Sequence, residues 1–345
     1  MNRLFRLFAY SSLTQCTHWN DNHDNKGEVI PVTVCVAAIC GPGTVFGASD
    51  RMLTAGDVQF EPTQPKIWQL TTSIAVMVAG DSSLQVEILQ AVGKDVKTRI
   101  EAEPTNWWMV KDAAELYSQH YCEIRCKRSQ RTILSRFGLD HGTFISRQQQ
   151  MSEVLVRQLA TELIKFSMPS VSAIFAGVDP AGTHIYVADD ANIECLDTVG
   201  FAAIGIGRWH ANSQFMFAEH DGRKPYPETL LLTYAAKKRA EVSPGVGEGT
   251  DMFAIGPFLG SYINISPEAV DELERMYQAT REEERKASVK ANREVNRFFE
   301  KLLTAASAKE QEIAPKESGG NPPANQERIR NVAEESKPED EPCES

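Results

Sequence analysis

Residues 32–56 read VTVCVAAICGPGTVFGASDRMLTAG, and the fold turns on how this stretch is understood. Two runs of strand-like composition, TVCVAAIC and TVFGASD, flank Gly41-Pro42-Gly43, where both glycines and the proline suit the backbone angles of a turn. The expected element is a hairpin that opens on Thr33 and closes on Asp50. Neither residue type is a favourable end for a buried strand pair, so a chemical reason is sought. Thr33 is expected to be the first residue of the working protein and its nucleophile.

Outward from the hairpin, short runs bounded by turn residues continue. KIWQLTTS and IAVMVAG form a second strand pair, followed by a helix over about 82–101 with Leu84, Ile88, Leu89 and Val92 on one face. Residues 104–166 read as helical, interrupted by a polar, Gly-containing stretch at about 138–150. Then come four strand candidates (SVSAIFAGVD, THIYVADD, NIECLDTV and FAAIGIG), helices at about 209–219 and over PETLLLTYAAKKRAE, and closing strands DMFAIG and SYINIS. Strands, helices, strands, helices and strands in that order favour an α+β protein with two layered sheets over a repeating parallel α/β unit. One domain over 33–265 is expected. Ser266-Pro267-Glu268 then starts a long helix, assigned to 266–304, with an acceptor at its cap and proline in its first turn. At about 1.5 Å per residue it would span roughly 55 Å, so part of it is expected to project. Phe298, Phe299, Leu302 and Leu303 would pack on the domain or on a neighbouring subunit. Residues 305–345, with ten acids against five bases, carry the composition of a disordered acidic tail, and 1–32 that of a disordered prefix or a misassigned start.

Bulk properties narrow the function classes. The chain has 345 residues, 42% of them hydrophobic, and no run approaches the roughly eighteen apolar residues needed to cross a bilayer. A net charge of −11 argues against a nucleic-acid face. Seven scattered cysteines, an odd number, suit a reducing compartment, so a cytoplasmic location is expected. The first residues make a poor signal peptide, because Arg6 interrupts the apolar run. His120, Cys122 and Cys126 could converge on one helix, yet no fourth ligand accompanies them, and the expected chemistry takes neither metal nor cofactor. Walker, HExxH and GxSxG motifs are missing, and GIGRWHA lacks the third glycine of a dinucleotide fingerprint.

An N-terminal threonine carries two reactive groups. Its hydroxyl is a weak nucleophile, but its α-amine titrates at roughly 7.7–8.0 and can take the hydroxyl proton near neutrality. A buried lysine nearby would lower the amine's pKa, an aspartate would hold that lysine charged and aimed, and a glycine amide could stabilise the oxyanion. Thr33 opens the first strand, Asp50 ends the second, Lys66 starts the third and Gly80 ends the fourth. Taken singly, each has a plainer reading: Thr33 as a β-former, Asp50-Arg51 as a surface turn pair, Lys66 as an exposed strand start.

Together these residues resemble the proteasome β-subunit and its bacterial relatives among the N-terminal nucleophile (Ntn) hydrolases. SDRMLTAG is similar to that family's Asp-x-x-x-Thr-x-Gly segment, with a lysine 16 positions after the aspartate and an Ala-Gly pair ending 14 positions after that lysine. AIFAGVDPAGTHIYVADD and FAAIGIG extend the likeness over about 33–265. The resemblance implies a four-layer αββα sandwich of two mainly antiparallel sheets and threonine-type hydrolysis of amide bonds in peptides or unfolded proteins. It also implies a homo-oligomer in a ring or partial ring, with an unfoldase as a possible partner and neither nucleic acid nor membrane. In the same terms Thr33 is nucleophile and base, Lys66 tunes the amine, Asp50 orients Lys66 and Gly80 forms the oxyanion hole. Glu241 takes the place of the family's second aspartate, with Ser243 and Asp251 as alternatives for it. Ile206 stands where the family has a supporting serine, and Asp81 where a second glycine is common. A non-catalytic scaffold subunit and a small-amide hydrolase of the same superfamily are the other readings.

Amine chemistry requires Thr33 to come first, and the residue before it is valine rather than the glycine at which such precursors cleave. GUG encodes valine internally but methionine at a start, and Lys26-Gly27-Glu28 requires a purine run suited to a ribosome-binding site. Initiation at position 32 and loss of the initiator methionine is therefore the expected route.

Overall fold

The computed structural model describes residues 33–41, 43–55, 58–61 and 66–313. The expectations for the prefix 1–32, and for the tail beyond 313, lie outside the described residues.

The opening hairpin forms where the sequence places it. β1 (Val34–Cys40) and β2 (Thr44–Asp50) pair antiparallel from Cys35↔Ser49 to Cys40↔Thr44. A short hairpin that the sequence reading did not separate follows, β3 (Leu53–Ala55) with β4 (Val58–Phe60). Next are β5 (Ile67–Gln69), β6 (Ile74–Gly80), the helices α1 (Ser82–Ala102), α2 (Val110–Ser129), α3 (His141–Arg147) and α4 (Glu153–Lys165), and the strands β7 (Val171–Asp179), β8 (Gly182–Asp189), β9 (Asn192–Cys195) and β10 (Phe201–Gly205). The helices α5 (Arg208–Phe217) and α6 (Tyr226–Ala240), the strands β11 (Thr250–Ile255) and β12 (Tyr262–Ile265), and α7 (Pro267–Ile313) complete the described residues. The strands of the two large sheets run in the orders β10-β1-β2-β11-β12 and β5-β6-β7-β8-β9, all neighbours antiparallel. The protein is mixed α+β, with two antiparallel sheets and helices packed on them.

Period-two alternation sorts the strand side chains. Cys35 and Ala37 of β1 join Met77 of β6 and Ile174 of β7 in a cluster between the sheets. Val34, Val36 and Ala38 face the other way and pack with Phe215 of α5 and Ala236 of α6. On the second sheet Val76 and Phe175 pack outward on Leu84 and Ile88 of α1 and Tyr117 of α2. Two hydrogen bonds tie these helices to the end of β6. The Tyr117 hydroxyl donates to Gln85 Oε1 (2.8 Å), and Gln85 Nε2 donates to the Ala79 carbonyl (2.9 Å).

Two local expectations are corrected. The polar stretch at 138–150 contains α3, because Asp140 and Thr143 form a reciprocal capping box at its start. Phe144 then packs with Ile133, Leu134 and Leu159 in a small separate cluster. The last helix runs past 304 to Ile313, since helix-forming Ala, Glu and Lys residues continue after the apolar pattern stops. Its first turns belong to a unit ending at Ala279, where Leu273 is buried with Val270 and Tyr277 packed alongside. Residues 280–345 make up a second unit, in which 281–306 are exposed. Phe298, Phe299, Leu302 and Leu303 are at least half exposed. Among the described residues no helix is long and apolar enough to cross a membrane.

Candidate active site

Three elements deliver three polar side chains to one buried point. Thr33 precedes β1, Asp50 ends β2 and Lys66 precedes β5; they are 4%, 0% and 7% exposed. The Thr33 hydroxyl donates to Asp50 Oδ1 at 2.5 Å and accepts from the Lys66 ammonium, which also donates to Asp50 Oδ1 at 2.7 Å. The Val34 amide donates to the same oxygen at 3.0 Å. Asp50 Oδ2 accepts from two further amides, Met52 and Gly247, each at 3.1 Å. A buried carboxylate normally carries a severe desolvation cost; here five donors, one of them a cation, offset it, and charge-assisted bonds of this kind are the strong ones. The plainer readings of Asp50 as a surface turn residue and Lys66 as an exposed strand start are thereby excluded.

The placement of Thr33 depends on residues whose role the sequence reading missed. The Thr33 carbonyl accepts from the Gly207 amide at 3.3 Å, and Val34 pairs with Gly205. Gly205 has φ +86°, and any Cβ there would overlap the Thr33 carbonyl, so only glycine allows β10 to approach. GIG in GIGRWHA is thus a seat for Thr33; the segment was weighed as a nucleotide motif and as part of the family likeness, without a role for its two glycines. Ile206, between the two glycines, packs on the α5–α6 cluster and offers the threonine no polar group.

Gly80 ends β6 with φ +116°, a conformation that excludes a side chain against the Ser170 carbonyl. It lies two residues beyond Val78, whose carbonyl meets Cys35 Sγ at 3.5 Å, two residues after Thr33. No described hydrogen bond joins Gly80 to the Thr33 group. Asp81 is committed to the start of α1, accepting from the Leu84 amide at 2.8 Å and the Ser83 hydroxyl at 2.6 Å. Its carboxylate is a helix cap.

Glu241 does not reach the Thr33 group. Its carboxylate takes Lys237 Nζ at 2.5 Å and Lys238 Nζ at 2.8 Å, at the end of α6. Lys237, which the sequence reading did not single out, is fully buried, and burial lowers the pKa of its ammonium against the opposing pull of Glu241. Asp251, the other carboxylate considered, pairs with Arg51 at 2.6 Å, and that hydrogen bond raises the guanidinium's pKa. The Ser243 amide bonds the Ala240 carbonyl at 3.0 Å, in the turn after α6. His120 hydrogen-bonds Asp95 at 2.9 Å, while Cys122 and Cys126 are exposed thiols.

Cys35, the other potential nucleophile at the centre, is disarmed. Burial pushes its thiol up to about 12, outweighing the opposing influence of the nearby Lys66 charge. A hydroxyl between a carboxylate and an ammonium is therefore the reactive candidate. In the 345-residue chain the Thr33 nitrogen is a peptide nitrogen, which cannot accept a proton; scission or initiation at the Val32–Thr33 junction would turn it into an amine.

No family model matches this sequence, and no curated protein matches it.

Proposed function

We propose that the chain is an N-terminal nucleophile hydrolase with the four-layer αββα architecture, its two outer helical layers being α1–α2 and α5–α6. Within that class we infer a threonine-type amide-bond hydrolase of the proteasome β-subunit kind, acting on peptides or unfolded proteins as a homo-oligomer. The observation that carries this reading is the convergence of Thr33, Asp50 and Lys66 from three separate elements into one buried hydrogen-bonded group.

The mechanism follows from the chemistry of those groups. With Thr33 first, its amine takes the hydroxyl proton as Oγ attacks the scissile carbonyl. The ammonium of Lys66 stabilises the developing alkoxide and holds down the basicity of the adjacent amine. Asp50, accepting from Lys66 Nζ at 2.7 Å, aims the lysine at the threonine. The Gly80 amide is assigned to the oxyanion, on its position near the β1–β6 contact. The Thr33 ammonium gives the hydroxyl proton to the substrate nitrogen as the C–N bond breaks, leaving the acyl group as an ester on Thr33 Oγ. The freed Thr33 amine then takes a proton from water as it attacks the ester and returns it to Oγ as the acid departs.

Two observations favour a second reading, a non-catalytic subunit of the same fold: Thr33 is almost fully buried, and Ile206 gives it no polar support. Turnover of a fluorogenic peptide amide decides between the two readings. Protein shown by N-terminal sequencing to begin at Thr33 should cleave it, and Thr33→Ala should not. An inactive protein with that verified terminus would favour the scaffold. Activity on small amides with none on unfolded protein would move the assignment to a small-amide hydrolase.

A further inference from the structure

Asp50 is gripped from two sides, and only one of them is accounted for by Lys66. Its Oδ1 serves Thr33, Val34 and Lys66, whereas its Oδ2 is anchored by the amides of Met52 and Gly247. Anchoring Oδ2 fixes the rotation of the carboxylate, and with it the direction in which Oδ1 meets the threonine and the lysine. The Met52 anchor is local, two residues along the chain. The Gly247 anchor is not: it comes from the α6–β11 connection, 197 positions away.

That connection is held by a lysine. Lys237 is 0% exposed, and its Nζ lies 2.5 Å from Glu241 Oε1, 2.9 Å from the Gly247 carbonyl and 2.7 Å from the Glu248 carbonyl. An ammonium has three N–H donors and no acceptor, so three acceptors satisfy it completely. Gly247 is also tightly seated, since a Cβ there would press on Met52 and Glu61. The amide and carbonyl of one glycine thus link two buried charged groups, Asp50 and Lys237.

We propose that Lys237 is a positioning residue of this site: its ammonium, bridging Glu241 and the carbonyls of Gly247 and Glu248, holds the segment that presents the Gly247 amide to Asp50. This rests on the reading of Thr33 as the reactive centre. Lys237 does not touch the threonine and acts through Gly247 and Asp50. Glu241 acts from further out still, as the anion that keeps the ammonium in place.

The test uses the full folded protein, beginning at Thr33, and the variant Lys237→Met, which keeps the unbranched apolar stem and removes the donors. Hydrogen exchange at the Gly247 amide should rise at least about tenfold, while the amides paired between β2 and β11 keep their protection. With a peptide amide substrate, kcat should fall by about tenfold or more and KM should stay within about twofold, because orientation of the reacting groups is lost and substrate contacts are not. Unchanged Gly247 exchange overturns the proposal, and so does faster exchange with unchanged kcat. If Lys237→Met loses sheet protection, Glu241→Gln carries the test. It should raise Gly247 exchange by about threefold with the sheet intact, and no rise would overturn the proposal. A wild-type protein without turnover would refute the hydrolase reading, while Gly247 exchange would still decide whether Lys237 holds the segment.

Discussion

At the scale of residues, burial decides which groups can react. Cys35 and Thr33 lie on the same strand end, yet only the threonine has polar partners suited to catalysis. With its thiol pushed up by burial, Cys35 should stay protonated at about pH 8. Iodoacetamide should therefore modify the exposed Cys122, Cys126 and Cys195 and spare Cys35 in the native protein, as peptide mapping would show. Lys66 and Asp50 are both buried, so Lys66→Ala strips the carboxylate of its counter-charge, though not of its other four donors, and should cost about 3 kcal/mol in urea unfolding. A loss below about 1 kcal/mol would mean that water reaches the pair. His220 supplies a pH dependence away from the site. It is buried with its Nε2–H donating to the Ile39 carbonyl at 3.0 Å, and burial lowers its pKa from 6.5. The unfolded chain then takes up the proton first, so the contribution of neutral His220 is complete above about pH 6.5 and is lost as pH falls below it. His220→Gln should flatten the decline in stability between about pH 7 and pH 5 relative to the wild type.

Single elements carry the geometry that single residues cannot. The end of β10 approaches the threonine because Gly205 has no side chain, so Gly205→Ala should destabilise the protein by about 2 kcal/mol or more. Gly93, inside α1 with nothing within 4 Å, makes the contrast: Gly93→Ala should stabilise by about 0.5–1 kcal/mol. Both values are readable from denaturant midpoints. These two glycines also show what was legible in advance. Strand pairing from Thr33 to Asp50 was readable because turn residues and apolar runs are local signals, and the Thr33, Asp50 and Lys66 spacing then pointed to one site. The seat formed by Gly205 and Gly207 and the link from Lys237 through Gly247 were not readable. They are contacts between distant segments, and a lysine in a basic run such as Lys237-Lys238-Arg239 ordinarily marks a solvated helix face. Glu241 was assigned to the threonine group through the family likeness, whereas helical spacing of four residues aims it at Lys237. α3 was overlooked because its start is signalled by a cap rather than by apolar periodicity.

On the scale of the molecule, the chain divides into a unit that contains the candidate site and a second unit from Thr280 onward. The first holds both large sheets and the buried clusters, while 281–306 of the second are exposed. Removing 280–345 should therefore leave the melting temperature of the first unit within about 4 °C of the full chain. A much larger drop would show that the first unit depends on that segment for its stability.

The central claim is that Thr33 bears hydroxyl and amine together. A peptide epoxyketone, which must react with both groups to close its ring, tests it in one mass-spectrometric measurement on protein whose first residue has been sequenced as Thr33. The account predicts a single adduct confined to the fragment containing Thr33, absent from Thr33→Ala and strongly reduced in Lys66→Ala. An unmodified terminal threonine, or an adduct found only on the exposed cysteines, would contradict it.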